Sequence, residues 1–382
     1  MALFKQYVKK NGEKAWMFQS YLGIDESTGK KIKTTRRGFQ TKKDAQLELN
    51  KLKIAFESND TATRKELTYR EIYDLWLPNY ERTVKESTFA KTENYFDRII
   101  LPSFGNYKIN KINAAVAQKF ANEMADKYVV YRQLVSNTSR IFEYAIKLNY
   151  ADDNPFKRIT IPKRKTSLDD EKKLNFYTKD ELEQFLKIAE SEESYKSYTF
   201  FRLLAFSGMR KGEMLALTWN DIDFNNKIIK INKTQTMGKD RRLYIDHPKT
   251  KNSKREIPID DKTLAILKKW RTEQKKIYLE FGIKTNKKNQ LVFSNHLNEM
   301  LQPSQPRKWL NSIIKRHNLK PITVHGFRHT NATLLIESGA SVKDVQVRLG
   351  HATVQVTMDL YLHITQERNK ETMENLVKYI NF

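Results

Sequence analysis

The sequence predicts a multidomain chain that is mainly α-helical and carries small β-sheets. Three observations indicate this fold class. The first 58 residues alternate strand-like runs with turn residues, residues 66–160 carry apolar side chains at helical spacing, and residues 174–382 combine both patterns. A polar stretch at 58–65 and a run of charged and turn-forming residues at 162–170 separate these parts. We therefore expect three domains with bounds at 1–58, 66–160 and 174–382.

The amino-terminal part is predicted to form a three-stranded sheet followed by one helix. Turn-forming residues separate three candidate strands, 4–8, 15–22 and 31–38. After the third strand, Thr41 followed by Asp44 is a capping-box pattern, which satisfies two backbone N–H groups at a helix start. The apolar residues that follow it at helical spacing complete the prediction of an α-helix on the sheet.

The middle part is predicted to be a compact helical domain. Thr68 followed by Glu71 is a capping-box pattern for its first helix. A second helical pattern begins at Thr88 and stops at Pro102 and Gly105. Two more helical patterns follow, 114–128 and 129–148. Their apolar and aromatic stripes are most simply the core of this domain.

The last part is predicted to be a mixed α+β domain. Helices are expected near 179–190 and 197–207, and another begins at Arg210. Helices return after three short strands, which are expected near 227–235, 241–246 and 255–259. Strands grouped between helices are typical of an α+β arrangement.

The charge of the chain indicates a polyanionic partner. Lys and Arg number 70 against 45 Asp and Glu, a formal net charge of +25. Such an excess favours binding to nucleic acid over binding of a neutral metabolite. We find no run of about 18 apolar residues and no signal peptide, so a membrane location is not expected. The absence of cysteine excludes disulfides and thiolate zinc sites and fits a reducing cytoplasm.

Basic residues are concentrated on the third candidate strand, at Lys31, Lys33, Arg36 and Arg37. A basic strand edge can be an ordinary solvated face. Because the whole chain is also basic, we favour a sheet that lies in a DNA groove. These four side chains are therefore predicted DNA contacts.

Five side chains in the last part have the chemistry to bind and attack a phosphodiester. They are Arg210 in FSGMRKGEM, His325 and Arg328 in HGFRHT, His351 in LGHAT, and Tyr361 ten residues later. The planar guanidinium of arginine contacts two phosphate oxygens at once and keeps its charge. A tyrosine oxygen is both a nucleophile and a leaving group, so the covalent step can be reversed. His325 and Arg328 of HGFRHT are three positions apart, so on a helix they share one face.

In this order, these motifs resemble those of the tyrosine recombinase (lambda-integrase-like) family, in particular integrases of temperate phages and conjugative transposons from Gram-positive bacteria. The resemblance covers the whole chain in outline and is specific in the last domain. It implies an arm-type DNA-binding domain at 1–58, a helical, SAM-like core-binding domain at 66–160 and a catalytic domain at 174–382. The implied activity is site-specific cutting and rejoining of DNA through a 3′-phosphotyrosyl intermediate, without ATP, which integrates and excises a mobile element or prophage.

The resemblance also implies a role for each residue. Tyr361 is the nucleophile, and the two arginines and two histidines stabilise the charge that develops on the phosphorus. Glu213 is expected to orient Arg210. A lysine of the hairpin HPKTKNSKREIP is expected to protonate the leaving 5′ oxygen, and we choose Lys249 over Lys251. From their charge, the remaining basic residues of this hairpin are predicted to contact DNA, although such a hairpin is also commonly just solvated: Lys251, Lys254 and Arg255.

The partners implied by the resemblance are double-stranded DNA with core and arm attachment sites and three further copies of the chain, which form a homotetramer on paired DNA. An excisionase and a host DNA-bending protein are implied as helpers. No metal or other cofactor is expected. The implied location is the bacterial cytoplasm, on nucleoid DNA.

Two other functions stay open from sequence alone. A type IB topoisomerase uses Arg, Lys, His and Tyr for the same reaction, but it has no need of an amino-terminal sheet to bridge distant sites. A sequence-specific DNA-binding regulator without catalysis fits the charge and the helices. It leaves the ordered set of five reactive residues unexplained.

Overall fold

The computed structural model describes residues 2–9, 12–24, 30–57, 66–163, 175–247, 253–285 and 289–350. By internal contacts the chain divides into two compact units, Met1–Lys85 with Lys91–Lys165 and Glu86–Ala90 with Thr166–Phe382. Among the residues that the structure describes, the first unit contains two separate hydrophobic cores, and the second contains one large core and one small one. In the part of the chain that the structure describes, no helix is long and apolar enough to cross a membrane.

The amino-terminal sheet is antiparallel with the order β1-β2-β3, and one helix packs on it. Its elements are Leu3–Val8 (β1), Lys14–Ile24 (β2), Lys31–Phe39 (β3) and Lys42–Glu57 (α1). The three predicted strands and the helix are thus confirmed. Phe18 of β2 is buried against Ala45 and Leu49 of α1. The N–H of Asp44 donates to the Thr41 hydroxyl at 3.1 Å, and the Thr41 N–H donates to the Asp44 carboxylate at 3.2 Å, which confirms the capping box.

The basic strand β3 lies at one edge of this sheet. Arg36 pairs with Phe18, and directly paired residues share a face, so Arg36 is on the side of α1. Side chains alternate along a strand, which places Lys31, Lys33 and Arg37 on the opposite face. All four basic side chains are exposed. The sheet therefore presents three of them together on its helix-free face.

Helices form the middle of the chain, as the apolar spacing predicts. They are Tyr69–Glu81 (α2), Glu86–Tyr95 (α3), Leu101–Phe104 (α4), Ala114–Lys127 (α5) and Tyr131–Lys147 (α6). Thr68 and Glu71 form the predicted capping box of α2. The second predicted helix differs, because it begins at Glu86 and continues through a π-helical turn into α4. Pro102 lies in the first turn of α4, where a missing N–H is tolerated, so it does not stop the helix.

The second unit is built around a central buried helix. Its helices are Lys179–Glu192 (α7), Tyr195–Ser207 (α8), Lys211–Ala216 (α9), Asp261–Glu280 (α10), Gln305–Arg316 (α11), Gly326–Glu337 (α12) and Val342–Leu349 (α13). Helix α8 is buried along most of its length and packs against α7, α10 and α12. Helix α8 is therefore at the centre of the packing of this unit.

Between α9 and α10, the described residues form five short strands. One antiparallel sheet contains Ile222–Asp223 (β4), Ile228–Ile231 (β5) and Arg255–Pro258 (β8), and a separate pair contains Thr234–Met237 (β6) and Leu243–Asp246 (β7). The predicted strand at 227–235 is thus two strands in different sheets. The chain leaves the first sheet before Lys233, whose ammonium forms an ion pair with the buried carboxylate of Asp221 at 2.6 Å.

Candidate active site

Arg210 lies at a tight turn between α8 and α9. Helix α8 ends at Gly208, whose φ of 65° is left-handed, a conformation that glycine adopts without steric cost. A Cβ atom at this position would lie 2.5 Å from Cδ2 of Leu349 and 2.6 Å from Oδ1 of Asn331. The glycine therefore allows the end of α8 to approach α12 and α13 closely. Arg210 follows two residues later as the N-cap of α9.

Glu213 is a buried carboxylate shared by two arginines. It accepts hydrogen bonds from the backbone N–H and Nη1 of Arg210, both at 2.9 Å, and from Nη1 and Nη2 of Arg255 at 3.1 and 2.9 Å. Burial alone would raise the pKa of Glu213. The hydrogen bonds and charge of Arg255, followed by those of Arg210, lower its pKa overall. Glu213 therefore stays ionised and fixes the Arg210 guanidinium, whose side chain is 38% exposed.

The buried position of Arg255 corrects one prediction made from the sequence. The sequence predicts that Arg255 contacts DNA, but its side chain is only 6% exposed. Besides Glu213, its guanidinium donates to the backbone carbonyls of Ser253 at 3.1 Å and Arg348 at 2.8 Å. A guanidinium enclosed by protein acceptors cannot also reach a DNA phosphate. The neighbouring Lys254 is exposed, and its predicted DNA contact stays a prediction.

Arg328 of α12 lies in the same place and is buried, with 2% of its surface exposed. Nη1 donates to the Gly208 carbonyl at 2.8 Å, and Nη2 donates to the Leu349 carbonyl at 2.7 Å. Burial lowers the pKa of Arg328 to about 9, and the charges of Arg210 and Arg255 add to this. Arg328 is still protonated at neutral pH, so its positive charge lies close to the guanidinium groups of Arg210 and Arg255.

His325 precedes the first turn of α12 and is exposed. Its ring meets the ring of His329 edge to face, with centroids 5.0 Å apart. Partial desolvation lowers the pKa of His325 to about 4, with further contributions from His329, Arg328 and Arg210. The imidazole is therefore neutral at pH 7, so one ring nitrogen donates a hydrogen bond and the other accepts one. Arg328 and Arg210 therefore lie close enough to His325 to lower the pKa of its imidazole.

Four predicted site residues lie outside the described residues: Lys249, Lys251, His351 and Tyr361. The described chain ends at Gly350, immediately before His351. Gly350 caps α13 with a left-handed φ of 67°, a conformation common for glycine at a helix end. The described part of the site therefore consists of Arg210, Glu213, His325 and Arg328, together with Arg255.

A cavity beside His325 is lined by Lys211, a basic residue that the sequence did not indicate as functional. This cavity has a volume of about 710 Å³ and is also lined by Arg307. The Lys211 ammonium donates to the Pro303 carbonyl at 2.9 Å, and burial, with a smaller effect of Arg307, lowers its pKa. The only sequence signal for Lys211 is its place directly after Arg210.

Among the residues that the structure describes, no three His, Asp or Glu side chains are grouped to hold a metal ion.

Three family models match the chain in succession. The model of the phage integrase family matches residues 175–368. A model of the phage integrase N-terminal SAM-like domain matches residues 68–125, and one of an arm DNA-binding domain matches residues 6–56. The first match covers more than half of the chain.

Individual proteins are similar over most of the chain. The ICEBs1 integrase of Bacillus subtilis (strain 168) is 27% identical over 376 residues, which cover 97% of this chain and 98% of that protein. The Tn1549 transposon integrase, solved with a circular intermediate DNA, is 22% identical with a TM-score of 0.65, over 81% of this chain and 99% of that one. A lambda integrase tetramer on a Holliday junction is 18% identical with a TM-score of 0.59, over 93% and 94%. The two structural likenesses show a shared fold.

Proposed function

The chain belongs to the phage integrase family, and on that premise we propose that it is a tyrosine-type site-specific DNA recombinase. It cuts and rejoins DNA through a 3′-phosphotyrosyl intermediate and so integrates and excises a mobile element or prophage. The observation that carries this proposal is the meeting of Arg210, His325 and Arg328 at one place. Arg210 lies at the start of α9, whereas His325 and Arg328 lie at the start of α12, and these two helices are distant in the sequence.

The phosphate contacts follow from the exposure of these groups. Arg210 and His325 are accessible to a DNA strand, whereas Arg328 lies buried behind them. Arg210 binds the non-bridging oxygens of the phosphate, and the neutral His325 ring donates a hydrogen bond to one of them. Arg328 supplies positive charge in a place shielded from water, where charge stabilises an anionic transition state most strongly. Loss of one such donor typically lowers the rate on the order of 10²–10³-fold.

The covalent step is carried by residues outside the described ranges. The Tyr361 oxygen attacks the phosphorus, and the bond to the 5′ oxygen breaks as the 3′-phosphotyrosyl bond forms. Lys249, with Lys251 as the alternative, protonates the leaving 5′ oxygen, and His351 supports the transition state. A 5′-hydroxyl from a second duplex then displaces Tyr361. One phosphoester bond replaces another at each stage, so no ATP is consumed.

The partners follow from the relatives and from the charge. The solved Tn1549 and lambda integrases are bound to DNA, and the lambda protein is a tetramer; we extend double-stranded DNA and a homotetramer on paired DNA to this chain. An excisionase and a host DNA-bending protein complete the set, and the reaction takes place on nucleoid DNA in the bacterial cytoplasm. The exposed residues of β3 contact arm sites: Lys31, Lys33, Arg36 and Arg37.

The three domains proposed from the sequence, 1–58, 66–160 and 174–382, divide this work into arm binding, core binding and catalysis. The amino-terminal sheet with its helix, the helical middle part and the last part each have a separate hydrophobic core, which supports this division. The match of an arm DNA-binding domain at 6–56 favours a recombinase over a type IB topoisomerase, since a nicking enzyme needs no second set of DNA sites. The same match also favours an enzyme that bridges separate DNA sites, as opposed to a regulator that only binds DNA.

The test is a covalent trapping experiment. The full chain is incubated with a nicked duplex that carries the junction of its own element, so that the short strand freed by cleavage diffuses away. We expect a protein–DNA adduct on a denaturing gel with the wild type and none with Tyr361→Phe. Tyr107→Phe, at an exposed tyrosine of the helical part, is the matched control and keeps the adduct. Absence of an adduct with the wild type, or its persistence in Tyr361→Phe, contradicts the proposal.

A further inference from the structure

Three arginines from different elements converge on the C-terminal end of α13. Three successive backbone carbonyls each accept one hydrogen bond: Arg348 from Nε of Arg255 at 2.8 Å, Leu349 from Nη2 of Arg328 at 2.7 Å, and Gly350 from Nη2 of Arg210 at 3.1 Å. The last carbonyls of a helix have no partner within the helix and carry the negative end of its dipole. Cationic donors at this position therefore stabilise α13 and fix its end.

Arg255 connects this helix end to Glu213. Two of its nitrogens donate to the Glu213 carboxylate, and its Nε donates to the Arg348 carbonyl. Arg255 is also the first residue of β8 and pairs with Ile231 of β5, so the sheet fixes its backbone. A rigid path thus runs from the sheet through Arg255 and Glu213 to the exposed guanidinium of Arg210.

We propose that Arg255 is a positioning residue of the recombination reaction, which orients Arg210 through Glu213 and fixes the end of α13 directly before His351. It does not contact the phosphate, because its side chain is enclosed by protein acceptors. This inference rests on the proposed role of Arg210 in binding the phosphate. It assigns to the strand β8 a part in the active site that is separate from any DNA contact of the hairpin.

The geometry requires an arginine at this position. A guanidinium is planar and can donate to both oxygens of one carboxylate while its Nε donates to a third acceptor. A lysine keeps the positive charge beside Glu213 but has a single nitrogen, so it cannot also hold the Arg348 and Ser253 carbonyls. Arg255→Lys therefore separates the charge of the residue from its positioning geometry.

The experiment measures single-turnover adduct formation at saturating DNA, together with the dissociation constant for DNA. We expect Arg255→Lys to lower the cleavage rate on the order of 10–100-fold, since small misplacements of a catalytic group have effects of this size. The dissociation constant should change less than about twofold, because no DNA contact is removed. Arg202→Lys is the matched control: Arg202 is also largely buried, with 11% exposure, in an ion pair with Asp260, and it should cleave like the wild type.

A double-mutant cycle then distinguishes positioning from a general structural role. In an Arg210→Lys background, the further change Arg255→Lys should lower the rate by a clearly smaller factor than in the wild type, because the part of its effect that acts through Arg210 is already lost. Equal fold losses in both backgrounds would overturn the inference, as would an Arg255→Lys rate equal to that of the wild type. If wild type itself forms no adduct, the proposed function fails instead.

Folding is controlled with a second variant. The pair Glu213→Met with Arg255→Met removes both buried charges, and replacing a buried ion pair by apolar residues is often tolerated. If Arg255→Lys fails to fold, this pair should fold and still lose cleavage at least as strongly, while DNA affinity stays within about twofold. Wild-type cleavage by the folded pair would overturn the inference.

Discussion

Gly208 offers a sharp test of how the candidate site is assembled. It ends α8 in a left-handed conformation, and its carbonyl accepts the hydrogen bond from Arg328 at 2.8 Å. In Gly208→Ala, the new methyl group would lie 2.5 Å from Leu349 Cδ2 and 2.6 Å from Asn331 Oδ1. Leu349 is 1% exposed and Asn331 is 7% exposed, so neither side chain can turn away into solvent. The end of α8 must therefore move away from α12 and α13.

The expected magnitude has two parts that a control can separate. A left-handed alanine costs roughly 1–2 kcal/mol, and forcing a methyl group into a packed interior costs a further 1–3 kcal/mol or so. Gly282 has nearly the same φ, 68°, and a Cβ atom added there would meet no atom of the described residues within 4 Å apart from its own chain neighbours. Gly282→Ala thus carries the backbone cost alone. We expect Gly208→Ala to be less stable than Gly282→Ala by about 1–3 kcal/mol.

The assay is urea-dependent hydrogen–deuterium exchange, read by mass spectrometry in peptides from α8 and α13. It reports the free energy of unfolding of this unit separately from the rest of the chain. Gly208→Ala should also cleave DNA more slowly than Gly282→Ala, because the Arg328 acceptor is displaced. Equal destabilisation of the two variants, within about 0.5 kcal/mol, would refute the reasoning.

Two predictions concern ionisation. His325 has a lowered pKa of about 4, so NMR titration of its imidazole in the free protein should show a neutral ring from pH 8 down to about 5; a midpoint near 6.5 would contradict this. The pKa of Glu213 is also lowered, so its contribution to stability is complete above the unfolded pKa of about 4.3 and is lost as the pH falls through its folded pKa. The difference in unfolding free energy between wild type and Glu213→Gln should therefore shrink below about pH 4.3; a difference independent of pH would contradict it.

Features that depend on neighbouring residues were predictable from the sequence. The capping boxes that begin at Thr41 and Thr68 are present in the structure, because each joins two residues only three positions apart. The strands and the helix at the amino terminus follow for the same reason, since turn residues and periodicity are local.

Features that depend on distant residues were not predictable in this way. Nothing near Arg255 in the sequence distinguishes it from the exposed Lys254, since its acceptors belong to Glu213 and Arg348. The strand predicted at 227–235 is divided next to Lys233, which forms an ion pair with Asp221, and the residue pattern of the strand does not indicate this contact. The meeting of the proposed phosphate ligands was expected only because the order of the motifs resembles a known family. The helical spacing of HGFRHT predicts only that His325 and Arg328 share one helix face. It does not predict that Arg210 lies beside them.

The identity of the residue that becomes attached to DNA tests the central claim most directly. Digestion of the trapped adduct with trypsin should release residues 349–368, a peptide in which Tyr361 is the single tyrosine. Nuclease trimming followed by mass spectrometry should find the nucleotide 3′-phosphate on Tyr361. A nucleotide attached to another side chain, or an adduct joined through a 5′-phosphate, would contradict the account.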